Sequence, residues 1–142
     1  MTFSEKSSWV VLVVAVPTLL IYGALVVPQL LGTPIAEIAW VQPMVFAIVG
    51  FVVANVLGNV VAAFTNPGEA DKSDERDTEI SHLGKRVGDW LVIAGASVAL
   101  VLAMTMAAQF WIANAIYLGG MAASIATAVT KIAAYHGSFQ RW

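Results

Sequence analysis

The residues of this chain that could do chemistry fall in four places. The first is an acidic run, Glu69, Asp71, Asp74, Glu75, Asp77 and Glu79, interrupted by Lys72 and Arg76. Clustered carboxylates can hold Ca²⁺ or Mg²⁺, but a calcium loop sets its ligands at alternating positions and closes on a bidentate Glu. Here the bases fall among the acids at helical contact spacing, so the run reads as a solvated, self-paired helix start. Asp74, Glu75, Arg76, Asp77 and Glu79 then form a surface that a partner protein can meet. The second place is Asp89 with Lys131, the charges that border the longest uncharged stretch. Ionisable groups in membrane spans are costly and tend to pair, so a structural ion pair is expected between these two.

The third place is Asn55 and Asn59, which share one face of a helix. Buried amides need hydrogen-bond partners, and Ser97, Thr105, Ser124, Thr127 or Thr130 could supply them. The alternative use of the two amides is a polar path for a solute. The fourth place is His82 and His136. Two histidines can ligate haem or a metal, but nothing else in the chain supports such a site, and no metal and no cofactor is expected. No nucleophile stands with a base or a ligand set inside the apolar stretches, so the sequence predicts a protein that is not an enzyme. With no cysteine, thiol and disulfide chemistry is excluded.

The elements that position these residues are membrane spans. Of the 142 residues 59% are apolar and only 11% charged, against roughly 25% charged in a soluble domain. So few charges cannot cover a soluble surface. The net charge of −2 leaves no electrostatic footprint for nucleic acid. No charged residue stands between Lys6 and Glu37, between Glu37 and Glu69, or between Asp89 and Lys131. A helix crossing the hydrocarbon needs about 20 apolar residues, so the first two stretches hold one span each and the third holds two. The predicted spans are residues 9–27, 41–64, 87–108 and 111–131, in a single membrane domain covering 1–142, with a polar segment at 65–86.

Local signals set the ends. Pro17 should kink the first span or free a carbonyl. Pro28 and Gly32 end it, and Thr33 is placed to cap a new helix that starts at Pro34. Asn66-Pro67-Gly68 is a turn. Ser73 is placed to cap a helix whose stripe of Ile80, Leu83 and Val87 leads into the third span, so that helix extends beyond the membrane. Gln109, the most polar residue of the last long stretch, marks the turn between the third and fourth spans.

All 7 basic residues fall at Lys6, within 65–86, or at Lys131 and Arg141. The two other connections carry none, so the positive-inside rule puts both termini and the central segment in the cytoplasm. Trp9, Trp40, Trp90 and Trp111 each stand at a predicted helix start, as an aromatic belt requires. Small residues recur at Gly50, Ala54, Gly58 and Ala62, and again at Gly84 and Gly88, which allows close helix approach. The first of these ridges lies about a third of a turn from Asn55 and Asn59. The expected arrangement turns the amides inward and the ridge outward, where it makes a homodimer.

The run Asp74-Glu75-Arg76-Asp77 followed by Glu79-Ile80, just before a span, resembles a family of uncharacterised small prokaryotic membrane proteins with the same Asp-Glu-Arg-Asp stretch. Phe110-Trp111-Ile112-Ala113-Asn114-Ala115 is similar to related sequences. The resemblance covers about residues 74–138. It implies a multi-span membrane protein and carries no activity with it.

Together these readings predict an all-α, integral-membrane, four-helix antiparallel bundle with both termini cytoplasmic and its third span extended into the cytoplasm. The expected protein is a multi-pass component of the plasma (inner) membrane. Its leading function is that of a small accessory or regulatory subunit whose cytoplasmic 69–86 segment meets a protein partner. The alternatives are an oligomeric channel or transporter using Asn55 and Asn59, and a haem- or quinone-associated subunit.

Overall fold

In the computed structural model the described residues are 3–65 and 75–137. They form α1 (Phe3–Leu30), a single 3₁₀ turn (Ile35–Glu37), α2 (Val41–Thr65), α3 (Glu75–Met104) and α4 (Gln109–His136). All four α-helices are long and apolar enough to cross a membrane. Each span expected from the charge-free stretches lies largely within one of them. The Asn66-Pro67-Gly68 turn, the Ser73 cap and Asp74 lie outside the described residues.

The helices expose apolar side chains on their outer faces: Val13, Leu20 and Ile21 on α1, Val45, Phe46, Val53 and Phe64 on α2, Val98 and Leu100 on α3. In water this surface would drive aggregation. Against lipid chains it costs nothing, and helices apolar all round are the expected outcome.

Three local readings are corrected. Pro28, expected to end the first helix, lies inside it. Thr33 does not cap a new helix; a 3₁₀ turn forms instead, and it has no side-chain cap. Gln29 organises this connection: its Nε2 donates to the Leu25 carbonyl at 2.9 Å, and its Oε1 accepts from the Ala39 N–H at 3.0 Å. Helix α2 then opens with the Met44 N–H on the Trp40 carbonyl at 3.1 Å. Pro43 fits in that first turn, where a missing N–H is no loss. The third correction concerns Gln109, which is the first residue of α4 and not the turn. The turn is made by Thr105–Ala108, where Ala107 N–H reaches back to the Leu102 carbonyl at 2.9 Å and Met106 N–H to Ala103 at 3.1 Å. That bond pair is a Schellman ending, and it places Met106 at φ 58°.

Helix α3 packs along α4, α4 along α1, and α1 along α2. The contacts run antiparallel in each seam: Gly88 meets Thr127 and Gly95 meets Gly119, Tyr22 meets Asn114 and Glu5 meets His136, Val10 meets Gly58 and Lys6 meets Thr65. The order across the molecule is therefore α2, α1, α4, α3. The buried core, Ala15, Tyr22, Val26, Ile38, Met44, Phe110, Tyr117 and Met121, sits toward the end that carries the two connections without Lys or Arg. Among the described residues, the other end carries the basic residues and every acidic residue except Glu37.

Candidate functional site

At the charged end, α3 and α4 are tied by the residues of the Asp-Glu-Arg-Asp run that the structure describes. Helix α4 ends at His136, and its last carbonyls lack helical donors. Arg76 supplies them: one guanidinium nitrogen donates to the Ala134 and Tyr135 carbonyls, each at 3.3 Å. A cation at a helix C-terminus also suits the helix dipole. The Tyr135 hydroxyl donates to Asp77 Oδ1 at 2.5 Å, and Asp77 is buried despite its charge. Glu75 is exposed and Glu79 half-buried, so the expected partner surface is divided, with Arg76 and Asp77 turned to α4.

Helix α1 joins the same end. Glu5 is buried with its carboxylate against His136 Nε2, and Lys6 Nζ donates to Thr65 Oγ1 at 3.1 Å. His136 is thus engaged with a carboxylate. His82 is exposed on α3, in an open depression beside Arg86 and Trp90. Among the described residues no three His, Asp or Glu side chains are placed to hold a metal.

The expected Asp89–Lys131 ion pair is replaced by another. Asp89 Oδ2 accepts from Lys85 Nζ at 2.7 Å, one turn back on the same helix and largely exposed. A partner four residues away on one helix is always within reach, and it takes Asp89 first. The Lys131 stem instead crosses Gly84, where an added Cβ would lie 2.7 Å from its Cγ. The carboxylate that acts on the Lys131 charge is Asp77.

Inside this charged rim is a cleft of about 480 Å³ that all four helices line. Helix α1 contributes Ser7 and Ser8, α2 Phe51 and Asn55, α3 Ser81, Lys85, Asp89 and Val92, and α4 Ser124, Thr127 and Lys131. Several hydroxyls serve their own scaffold: Ser8 donates to the Ser4 carbonyl at 3.0 Å, Ser124 to Gly120 at 3.0 Å, and Thr127 across to Gly84 on α3 at 3.1 Å. Lys131 forms no hydrogen bond or close ion pair within the described residues, and Asp77, which acts on its charge, is bonded by the Tyr135 hydroxyl. Asn55 Nδ2 donates to the Phe51 carbonyl at 2.9 Å, which leaves its Oδ1 buried without a partner. Ser124 lies two turns from Lys131, about 10 Å along the helix. The cleft therefore reaches well into the apolar part of the molecule.

Beyond it, toward the end without Lys or Arg, an aromatic layer closes the interior. Tyr22 and Tyr117 pack with ring centroids 4.8 Å apart. The Tyr22 hydroxyl donates to Asn114 Oδ1 at 2.5 Å, and Asn114 Nδ2 donates to the Phe110 carbonyl at 2.7 Å. The Tyr117 hydroxyl is buried with no hydrogen-bond partner in the described residues.

No family model, no curated protein and no solved structure matches the chain. The site is therefore read from its geometry.

Two further expectations change. Asn55 and Asn59 do not bond across to other helices; Asn59 Nδ2 donates to the Asn55 carbonyl at 2.8 Å, on their own helix. The small-residue ridge is not an open dimer face along its length. Gly58 lies against Val10 of α1, where an added Cβ would meet Cγ1 at 2.6 Å, and Ala62 is buried. Gly50 alone has open space beside it, with no atom within 4 Å of an added Cβ. Helix α2 has one extensive neighbour, and its small face is spent on approaching it. Gly84 and Gly88 do pack as expected, against Lys131 and Thr127. The sequence reading missed Tyr22, Tyr117 and Tyr135, and the contact of Glu5 with His136. A signal existed for Tyr117: Asn114, Tyr117, Met121 and Ala128 form one stripe at helical spacing on α4, and all four are buried.

Proposed function

We propose that this is a non-enzymatic, multi-pass protein of the plasma (inner) membrane. It acts as an accessory or regulatory subunit that binds a polar ligand in the cleft from the cytoplasmic side. One observation carries the reading: Lys131, a cation without a close ion pair, and Asn55, whose Oδ1 is buried without a hydrogen-bond partner, line one cleft. Buried polar atoms are normally satisfied, and a ligand bearing both acceptors and donors answers both needs. The distribution of Lys and Arg supports the cytoplasmic side, and with it an antiparallel bundle whose ends both lie there. The link from Arg76 and Asp77 to the last turn of α4, one turn beyond Lys131, joins the cleft to the segment expected to meet a protein partner. A ligand at Lys131 thus acts on the same helix end that the segment holds.

A second reading, transport, is favoured by one feature. Tyr117 and the Tyr22–Asn114 pair continue the polar groups past the cleft toward the other side. The packed aromatic layer opposes it.

Single cysteines in this cysteine-free chain separate the readings. Thr33→Cys and Ala70→Cys report the two membrane faces to an impermeant thiol reagent, and Ser124→Cys reports the cleft. The binding reading expects Ser124→Cys to react only from the side on which Ala70→Cys reacts. Reaction from both sides would establish the transport reading instead. No reaction at Ser124→Cys, or reaction only from the Thr33 side, would remove the cleft as a cytoplasmic site.

A further inference from the structure

We propose that the cleft takes the headgroup of an anionic phospholipid, which enters sideways between α2 and α3. This rests on the reading of the cleft as a ligand site in a membrane and names the class of its ligand. The first observation is the shape of the cleft. Asn55 stands on one wall and Lys85 on another, yet their helices, α2 and α3, share no packing seam like those of α3 with α4, α4 with α1, or α1 with α2. The chain of seams is open at that one edge. In a bilayer an open edge faces lipid.

The second observation is the chemistry at the mouth. Lys131 has no ion pair there, and the hydroxyls of Ser7 and Ser81 form no hydrogen bond within the described residues. Lys85 gives one proton to Asp89 and keeps others. These are donors in surplus, and a phosphodiester offers only acceptors at its ionised oxygens, so the two sets are complementary. A neutral ligand could accept from the hydroxyls but would leave the Lys131 charge unbalanced, and a cationic one would oppose it.

The third observation is the level at which the mouth lies. Lys85 and Asp89 at the mouth also line a separate open depression on α3 with Arg86 and Trp90, and a Trp at that level suits the headgroup zone. Basic pockets between spans on the cytoplasmic side are suited to anionic headgroups. Below the donors the lining turns to Phe51 and Val92, which suits the first carbons of an acyl chain. A volume of about 480 Å³ falls in the range of about 300–1,000 Å³ typical of small-molecule sites.

The test is native mass spectrometry of the full chain in detergent, titrated with phosphatidylglycerol, phosphatidylcholine or water-soluble glycerol phosphate. Phosphatidylglycerol is expected to stay bound where phosphatidylcholine is stripped. Lys131→Gln should weaken it about fivefold, the effect of one cation near a membrane surface, and Lys131→Arg should retain it. Ser7→Glu, which brings a carboxylate to the mouth, should weaken it as well and serves if Lys131→Gln does not fold. Lys6→Gln, at the same end but outside the lining, should leave it unchanged. Equal retention of the two lipids, or phosphatidylglycerol binding that survives both Lys131→Gln and Ser7→Glu, would overturn the proposal. So would glycerol phosphate binding through Lys131 without phosphatidylglycerol binding, since the anion would then come from water. If the lipid result fails while Ser124→Cys still reacts from the cytoplasmic side, the cleft stands as a site and only its ligand class is wrong. If Ser124→Cys does not react, both readings fall.

Discussion

Gly95 of α3 and Gly119 of α4 lie backbone against backbone: a Cβ added to Gly95 would sit 2.9 Å from the Gly119 Cα. Neither backbone can yield as the tip of a flexible side chain could. This contact sets the distance between the two helices that carry Lys85, Asp89, Thr127 and Lys131, and so sets one wall of the cleft.

Gly95→Ala should therefore destabilise the protein in detergent by about 1–3 kcal/mol, the range for overpacking a close contact. Gly120→Ala, one residue from Gly119, has no atom within 4 Å of the new Cβ. It should leave stability unchanged or raise it by up to about 1 kcal/mol through lower backbone freedom in the unfolded chain. Thermal unfolding of the two variants checks this pair, and equal losses would show that the Gly95–Gly119 approach is not what joins the helices.

The Tyr22 hydroxyl and Asn114 Oδ1 form a buried bond at 2.5 Å between α1 and α4. Interhelical hydrogen bonds in membranes are worth about 0.6 to 2 kcal/mol. Tyr22→Phe and Asn114→Leu should each destabilise, and the double variant should lose less than the sum of the two. A coupling energy of zero in this cycle would mean that the bond contributes nothing to holding α1 on α4.

Met106 occupies the left-handed position of the α3–α4 turn at φ 58°, where glycine is the usual residue. Its side chain is 91% exposed, so removing it loses no packing. The strain of an L-residue there is about 1–2 kcal/mol. Met106→Gly should stabilise the protein by about 1 kcal/mol, less than the full strain because glycine adds freedom to the unfolded chain. A lower melting temperature for Met106→Gly would contradict the turn geometry.

Asp89 pairs with Lys85, and both side chains are largely exposed. Exposed pairs of this spacing are worth about 0.3–0.5 kcal/mol. Asp89→Asn should thus change stability by no more than that, and its effect should add to that of Lys131→Met. A double-mutant cycle with strong coupling between Asp89 and Lys131 would restore the ion pair that the sequence suggested.

The number of helices, their approximate limits and their lipid-facing character were legible in the residue order alone. Uncharged runs of span length leave one low-energy state in hydrocarbon, a helix that satisfies every backbone group internally, so hydropathy suffices. Gly84 and Gly88 were legible for a related reason, because small residues at helical spacing have few uses other than close packing. What the order of residues did not determine is which charges meet. Asp89 had Lys85 and Lys131 within plausible reach, and only the rotation of α3 against α4 sends the Lys131 stem over Gly84 and leaves Asp89 to its own helix. The same holds for Glu5 with His136, Asp77 with Tyr135 and Tyr22 with Asn114. Each joins residues distant in the chain, and periodicity within one helix carries no information about the rotation of another. The cleft is likewise a product of tertiary structure: it exists because α1 and α4 pack together while α2 and α3 do not, with α2 held on α1 where Gly58 meets Val10 and α3 on α4 where Gly95 meets Gly119.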